Sequence, residues 1–167
     1  MANEKIGLGG GCHWCTEAVF EAVKGVTQTK QGFIASEGDA ANFSEAVIVV
    51  FNPEQVSLEK LIEIHLATHK STVRHSFRKK YRSAIYYYNK EQQVISTEHI
   101  KELQQYQRDA IITQVLPFNK FKASRVSIQN YYRKNPEAPF CSRYILPKLH
   151  IVNKNFKEVL RSDSKLQ

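Results

Sequence analysis

Seven residues, Glu45-Ala46-Val47-Ile48-Val49-Val50-Phe51, form the most restrictive stretch of this chain. β-branched and aromatic side chains suit a pleated, extended backbone and lose rotamer freedom in a helix, so the run predicts a strand. Asn52-Pro53 closes it, because proline cannot donate to a ladder and pushes its predecessor out of helical space. Such a strand must be covered, and the neighbouring pattern supplies the cover. Ala18, Val19, Ala22 and Val23 recur at helical spacing over residues 16–24, with Thr16 and Glu17 as expected cap and dipole partners and Gly25 as the stop. Leu58, Leu61, Ile62, His65 and His69 fall on one stripe of a helix over 57–69, and a longer polar helix is expected over 91–108. Further strands are expected at 6–8, 26–34, 83–88 and 110–116, with a polar loop at 36–43. Strands interleaved with helices predict an α/β or α+β layer fold. The last fifty residues, with prolines at 136, 139 and 147, show no clear period. With no repeat, low-complexity stretch or linker, residues 1–167 read as one domain.

Composition narrows the class. With 167 residues, 42% hydrophobic and 24% charged, the chain can bury a core without disulfide or metal staples, and wholesale disorder is excluded. Its net charge of +8 suits an anionic partner but selects none. No run of apolar residues is long enough to span a membrane. The N-terminus reaches Gly9-Gly10-Gly11 before a secretory leader could form, so none is expected. Three cysteines, an odd number, then argue for a reducing compartment, and the cytoplasm is the expected location.

The chemistry concentrates in Gly9-Gly10-Gly11-Cys12-His13-Trp14-Cys15-Thr16-Glu17. A glycine-rich turn between strand and helix leaves Cys12 at or just before a helix N-terminus. There, unpaired N–H groups and the positive end of the helix dipole stabilise a thiolate. The turn completes neither a Walker pattern nor Gly-x-Gly-x-x-Gly, so nucleotide binding is poorly supported. Cys12-His13-Trp14-Cys15 also matches Cys-x-x-Cys, which is compatible with a redox pair, half a zinc site, or a nucleophile with an accidental neighbour. Zinc would need two more ligands, and Cys141 is the one further cysteine. His65 and His69 share a helical face but lie on its apolar stripe, which favours packed core histidines over ligands. Glu45 opens the strand on the face of Val47, Val49 and Phe51; if buried, it could stay protonated and donate a proton. Between Glu63 and Glu91, Lys70, Arg74, Arg78, Lys79, Lys80, Arg82 and Lys90 supply positive charge with no acidic residue, as a solvated loop or an anion-attracting rim. Tyr86, Tyr87 and Tyr88 beside it alternate in face, so no base-stacking platform for nucleic acid is specified.

Together these motifs resemble the A-type peptide methionine sulfoxide reductases, over about residues 5–149. The resemblance rests on Gly11-Cys12-His13-Trp14 with Glu17, on Ser44-Glu45-Ala46-Val47 leading into Phe51-Asn52-Pro53, and on Tyr81-Arg82-Ser83-Ala84-Ile85-Tyr86. It continues through Tyr131-Tyr132-Arg133-Lys134-Asn135-Pro136 and the segment from Phe140-Cys141 to Leu149. The resemblance implies an α+β fold, a two-layer sandwich of a mixed β-sheet with flanking helices. It implies reduction of the S epimer of methionine sulfoxide, free or in proteins, with no cofactor or metal and with thioredoxin or a small thiol as reductant. Carried over residue by residue, Cys12 would be the nucleophile, Glu45 the acid and Tyr81 a second donor to the sulfoxide oxygen. Trp14 would form the wall for the S-methyl group, with His13 and Phe33 as further substrate-binding residues.

The chain departs from the family pattern at several points. His13 replaces the aromatic after the nucleophile, Cys15 replaces the next glycine, and Phe33 stands where a second substrate-facing tyrosine is usual. The loop before Tyr81 is shorter, and the loop's substrate-site aspartate falls on Ser76. Cys15 and Cys141 are the candidate resolving cysteines. In a first helical turn Cys15 would face back towards Cys12 with Cβ atoms roughly 5–6 Å apart, and this pairing is expected over Cys141. The competing readings are another thiol–disulfide or sulfenate-handling enzyme using Cys12 and Cys15, and a catalytically retired binding protein with a basic face. A monomer without membrane association is expected.

Overall fold

The strand run of the sequence is β3 (Ser44–Phe51), and every one of its residues is buried. In the computed structural model, which describes residues 2–74 and 80–162, β3 lies inside a six-stranded sheet. The other strands are β1 (Glu4–Gly9), β2 (Val26–Ala35), β4 (Ala84–Tyr87), β5 (Gln114–Pro117) and β6 (Lys120–Ala123). Their order across the sheet is β5-β4-β1-β3-β2-β6. β4 and β5 pair in parallel and every other neighbour pair is antiparallel, so the sheet is mixed. The parallel step needs a crossover, which α3 (Lys90–Gln104) provides.

Alternation along the strands sorts the two faces. Ile6 and Leu8 of β1, Val47, Val49 and Phe51 of β3 and Ile85 of β4 point to one side. There they meet Val19 and Phe20 of α1 (His13–Glu21), Leu61 and Ile62 of α2 (Leu58–Thr68), and Leu149 and Val152 of α5 (Leu146–Asn155). The short α4 (Tyr131–Lys134) and one wide π-helical turn, Cys141–Ile145, complete that layer. On the opposite face Ile34, Ala46, Ile48, Ala84 and Tyr86 form a smaller cluster, against which Phe118 and Phe121 pack. The result is the expected α+β layered arrangement, with helices on one face of a mixed sheet.

Several boundaries differ from the expectations, for local reasons. The first helix starts at His13 rather than 16, because Cys12 takes the extended cap conformation; Thr16 lies inside the helix, its hydroxyl turned to the Cys12 carbonyl. It ends at Glu21, and Gly25 (φ 98°) serves the turn into β2. The strand expected over 110–116 shrinks to Gln114–Pro117, since β4 offers only four residues to pair. The Ile112 N–H bonds instead to the Ser71 carbonyl (2.7 Å). α2 and α3 start as hydrophilic caps predict: Ser57 accepts from the Lys60 N–H (3.1 Å) and Asn89 from the Gln92 N–H (2.9 Å).

His65 and His69 are packed, as their apolar stripe suggested. His65 Nε2 lies 2.8 Å from the Gly9 carbonyl, and His69 Nε2 lies 2.7 Å from Ser83 Oγ, under the glycine turn. Arg82 is a correction to the basic rim. It is buried, and its guanidinium donates to Tyr86 Oη (3.0 Å), Asn42 Oδ1 (3.1 Å), Asn42 O (3.0 Å) and Ile34 O (3.2 Å). A buried guanidinium must spend its donors, and here they clamp the loop after β2 to the sheet. Lys70, Arg74, Lys80 and Lys90 are exposed, while Ser76, Arg78 and Lys79 lie outside the described residues.

The sheet's second face tolerates no side chain at Gly7. A Cβ there would stand 2.8 Å from Ile34 Cδ1 and 2.9 Å from Tyr86 Cβ. Gly7→Ala is therefore expected to destabilise the fold by ~1–3 kcal/mol, the usual cost of overpacking a core. Chemical denaturation measures it, and an unchanged midpoint would contradict the tightness of this face.

Candidate active site

Cys12 occupies the N-cap of α1, with φ −60° and ψ 127°. Its carbonyl already accepts from the N–H groups of Cys15 (3.1 Å) and Thr16 (3.3 Å), so the chain turns into the helix at this residue. Its thiol is held below the ordinary cysteine range. The hydrogen bond from the Cys15 thiol is the main cause, and the backbone N–H groups of Trp14 and Cys15 add to it, against opposing burial and the charge of Glu45. The Cys15 thiol is pushed up strongly, first by that same hydrogen bond to Cys12, then by burial. The interaction favours the thiolate on Cys12 and the thiol on Cys15, the sense a nucleophile and its resolving partner require.

Lys148 of α5 faces both sulfurs. Its ammonium donates to the Thr68 carbonyl; burial pushes its pKa down, while interaction with the Cys15 and Cys12 sulfurs opposes that. Cys141 is fully buried with its thiol donating to the Asn135 carbonyl (3.0 Å), and burial pushes that thiol up.

Glu45 resolves an alternative the sequence left open, because it is buried, with 6% of its surface exposed. The register pairs it with Phe33 across β2 and β3, which puts the two side chains side by side on the α1 face. Glu45 Oε1 accepts from the backbone N–H of His13 (3.2 Å) and lies 3.3 Å from His13 Nε2. Glu45 Oε2 lies 3.7 Å from the exposed Lys80 ammonium. Backbone bonds from Glu45 N–H to the Lys80 carbonyl (2.9 Å) and from Arg82 N–H to Ser44 Oγ (2.8 Å) dock the segment carrying Tyr81 against the start of β3. Lys80 in turn sits over the Tyr81 ring, 5.1 Å from its centroid.

Trp14 is half-buried and stacks on Tyr131 (centroids 4.0 Å apart, planes 9° apart), with Phe140 edge-on at 5.1 Å. Such stacking fixes the indole as a wall. The ring of His13 is buried and its two nitrogens face protein groups, Nδ1 the Gly32 carbonyl and Nε2 Glu45; Phe33 meets it edge-on at 5.2 Å. The turn, α1, β2 and β3 thus bring Cys12, Cys15, His13, Phe33 and Glu45 together, with Trp14 on the first turn of α1 and Tyr81 beside Lys80. Lys80, Lys148, Tyr131 and Phe140 escaped the sequence reading as site residues. Lys80 was visible only as one charge in a basic run, and Tyr131 and Phe140 only as members of the segments that carry the family resemblance, in a stretch of no period. Among the described residues no cluster of three or more His, Cys, Asp or Glu side chains gathers as a metal site.

Comparison with known proteins fits this geometry. The family model described as peptide methionine sulfoxide reductase matches residues 4–160. The chain is 32% identical to peptide methionine sulfoxide reductase MsrA 1 of Rhodopirellula baltica, covering 98% of this chain and 92% of that one. It is 35% identical to the MsrA of a Psychrobacter species, over 94% of this chain and 98% of the other. Among solved structures it resembles methionine sulfoxide reductase A of Corynebacterium diphtheriae (TM-score 0.70, 26% identity, covering 82% of this chain and 77% of that one). It also shares its fold with Saccharomyces cerevisiae Mxr1 in complex with Trx2 (TM-score 0.60, 21% identity, covering 78% and 85%). A cysteine with a lowered pKa at a glycine-turn cap, a buried glutamate bonded to the next residue of the same turn and this breadth of similarity have one reading: the chain belongs to the peptide methionine sulfoxide reductase family.

Proposed function

We propose that this chain reduces methionine-S-sulfoxide, free or within proteins, through a sulfenic acid on Cys12. The observation that carries the reading is the pairing of a stabilised Cys12 sulfur with the buried Glu45 carboxyl group, which the His13 N–H ties to the same turn. A sulfoxide is a poor electrophile until its oxygen is protonated or strongly hydrogen-bonded, so a nucleophile alone would not suffice.

The Cys12 thiolate attacks the sulfoxide sulfur while the oxygen takes a proton from Glu45, with Tyr81 as second donor. The sulfur–oxygen bond of the substrate breaks and the oxygen ends on Cys12. Cys12 thiolate, one proton and sulfoxide thus become Cys12 sulfenic acid and thioether, and the substrate sulfur gains the two electrons that Cys12 loses. Trp14 and Phe33 wall the apolar end of the substrate. The Cys15 thiol then attacks the sulfenic sulfur, forming the Cys12–Cys15 disulfide and releasing water. Thioredoxin or a small thiol reduces that disulfide and is itself oxidised.

Cys15 is favoured over Cys141 because it stands on the first turn of α1 with its thiol coupled to that of Cys12, while Cys141 is engaged by the Asn135 carbonyl. Family membership over residues 4–160 favours the reductase over a retired binding protein or a general disulfide enzyme. No helix of the described residues is long and apolar enough to cross a membrane. We place the protein in the cytoplasm on its odd number of cysteines, three, and read it as a single-domain monomer.

The test is an epimer-resolved, single-turnover assay without reductant, followed by mass mapping. Reduction of the S but not the R epimer is expected, with one thioether per enzyme and a Cys12–Cys15 bridge. Absence of turnover would refute the activity, and a Cys12–Cys141 bridge or a persisting sulfenic acid would refute the resolving assignment alone.

A further inference from the structure

The buried pair of His13 and Glu45 raises a question of proton count. His13 Nδ1 lies 2.8 Å from the Gly32 carbonyl, and a carbonyl oxygen can only accept. Nδ1 therefore carries a proton in either charge state of the ring, and only Nε2 titrates. Nε2 faces Glu45 Oε1 at 3.3 Å, and that oxygen already accepts from the His13 backbone N–H. A neutral His13 beside an ionised Glu45 would set a bare nitrogen lone pair against a carboxylate oxygen, both buried and with no hydrogen between them. Two buried acceptors in that position repel, and the penalty is removed by one proton on either atom.

We propose that His13 and Glu45 hold a single proton between Nε2 and Oε1, and that His13 is the positioning residue that keeps this proton available to the sulfoxide oxygen. The inference rests on the reading of Glu45 as the acid and adds a group that the family motif, with phenylalanine at this position, does not carry. Among the described residues, two titratable groups face the pair: Cys12 at the cap of α1, and Lys80 in the segment before β4, 3.7 Å from Glu45 Oε2. β2 contributes only the neutral Gly32 carbonyl and the Phe33 ring. At His13, burial of the imidazole disfavours the protonated ring first, the Gly32 carbonyl and the Glu45 carboxyl group oppose it, and Lys80 adds to the burial. Across the 3.3 Å contact the one proton has two neighbouring seats, Nε2 and Oε1. In the reductive step it passes to the sulfoxide oxygen as Cys12 thiolate bonds to the sulfur, leaving His13 neutral and Glu45 ionised. The pair is recharged from solvent before the next turnover.

Two measurements test this. The first is single-turnover reduction of a methyl sulfoxide peptide between about pH 5.5 and 8 by wild type, His13→Phe, His13→Asn and Glu45→Gln. Without Nε2 the shared proton loses one of its two seats, so the defect of both His13 variants is expected to grow at least tenfold from the acidic to the alkaline end. Asparagine retains a donor for the Gly32 carbonyl, which separates loss of Nε2 from loss of packing. A defect constant with pH in a folded variant overturns the proposal. The second measurement needs no turnover: ¹⁵N chemical shifts of the His13 ring in the resting reduced enzyme. Nδ1 is expected to stay protonated while Nε2 titrates, and Glu45→Gln is expected to move that titration to lower pH by a unit or more. A bare Nδ1, or a titration indifferent to Glu45→Gln, overturns the shared proton. If Glu45→Gln leaves the rate unchanged, the acid assignment falls, while the nitrogen shifts still decide whether the proton is shared.

Discussion

Cys12→Ser is expected to abolish methyl sulfoxide reduction, by roughly 10⁴-fold or more, as removal of a covalent nucleophile does. A serine hydroxyl at the α1 cap would keep the local hydrogen bonding, since serine is a good N-cap, so the fold should survive. It cannot become the two-electron acceptor of the sulfoxide oxygen, because oxygen has no counterpart of the sulfenic state. Cys141→Ser should leave the first turnover intact, since that thiol is spent on the Asn135 carbonyl. Quantifying thioether after one turnover, with folding verified by circular dichroism, decides it. Substantial product from Cys12→Ser would remove Cys12 as the nucleophile. The pH dependence carries the same information. Because the Cys12 thiol sits below its ordinary range, its thiolate persists to lower pH than that of a free cysteine, and the acidic limb of the wild-type rate should lie correspondingly low.

How much of this was legible in the sequence depended on whether the signal was local. β3 stood out because seven consecutive residues carry the preference, and Ser57 and Asn89 cap α2 and α3 through side chains three residues from their partners. Cys12 was legible for the same reason, since glycine turn, cap and helix dipole all lie within a few residues. Glu45 was half legible. Its face followed from alternation, but its burial depended on β2 and α1 closing over it, which no periodicity of β3 contains. Arg82 was misplaced on the rim because a run of basic residues does not reveal which one turns inward. Its acceptors, Asn42 and the Ile34 carbonyl, are forty and more residues away. His13 is the sharpest case. As an aromatic after the nucleophile it was assigned to the substrate, and its actual partners, the Gly32 carbonyl and Glu45, come from two strands that the fold brings to it.

Glu45→Gln should slow the reductive step by about 10²-fold or more, within the 10²–10⁴ range of a general acid. The substitution isolates proton transfer with little change of shape. The carboxamide oxygen can still accept from the His13 N–H, as Oε1 does at 3.2 Å, and its NH₂ can still donate a hydrogen bond to a sulfoxide oxygen. What it cannot do is release that hydrogen as the sulfur–oxygen bond breaks. In the proposed step Glu45 acts as the uncharged acid, so Gln replaces it without changing the charge that Cys12 faces, and the Cys12 thiolate should form over the same pH range in the variant. Lost turnover with an undiminished nucleophile cannot be explained by a weakened thiolate, so the two readings together assign the loss to the acid. Stopped-flow single turnovers from about pH 5.5 to 8, paired with a thiol-alkylation titration of Cys12, read both quantities on one sample. An unchanged reductive rate across that range would show that the proton comes from elsewhere, with Tyr81 beside Lys80 the next group to test.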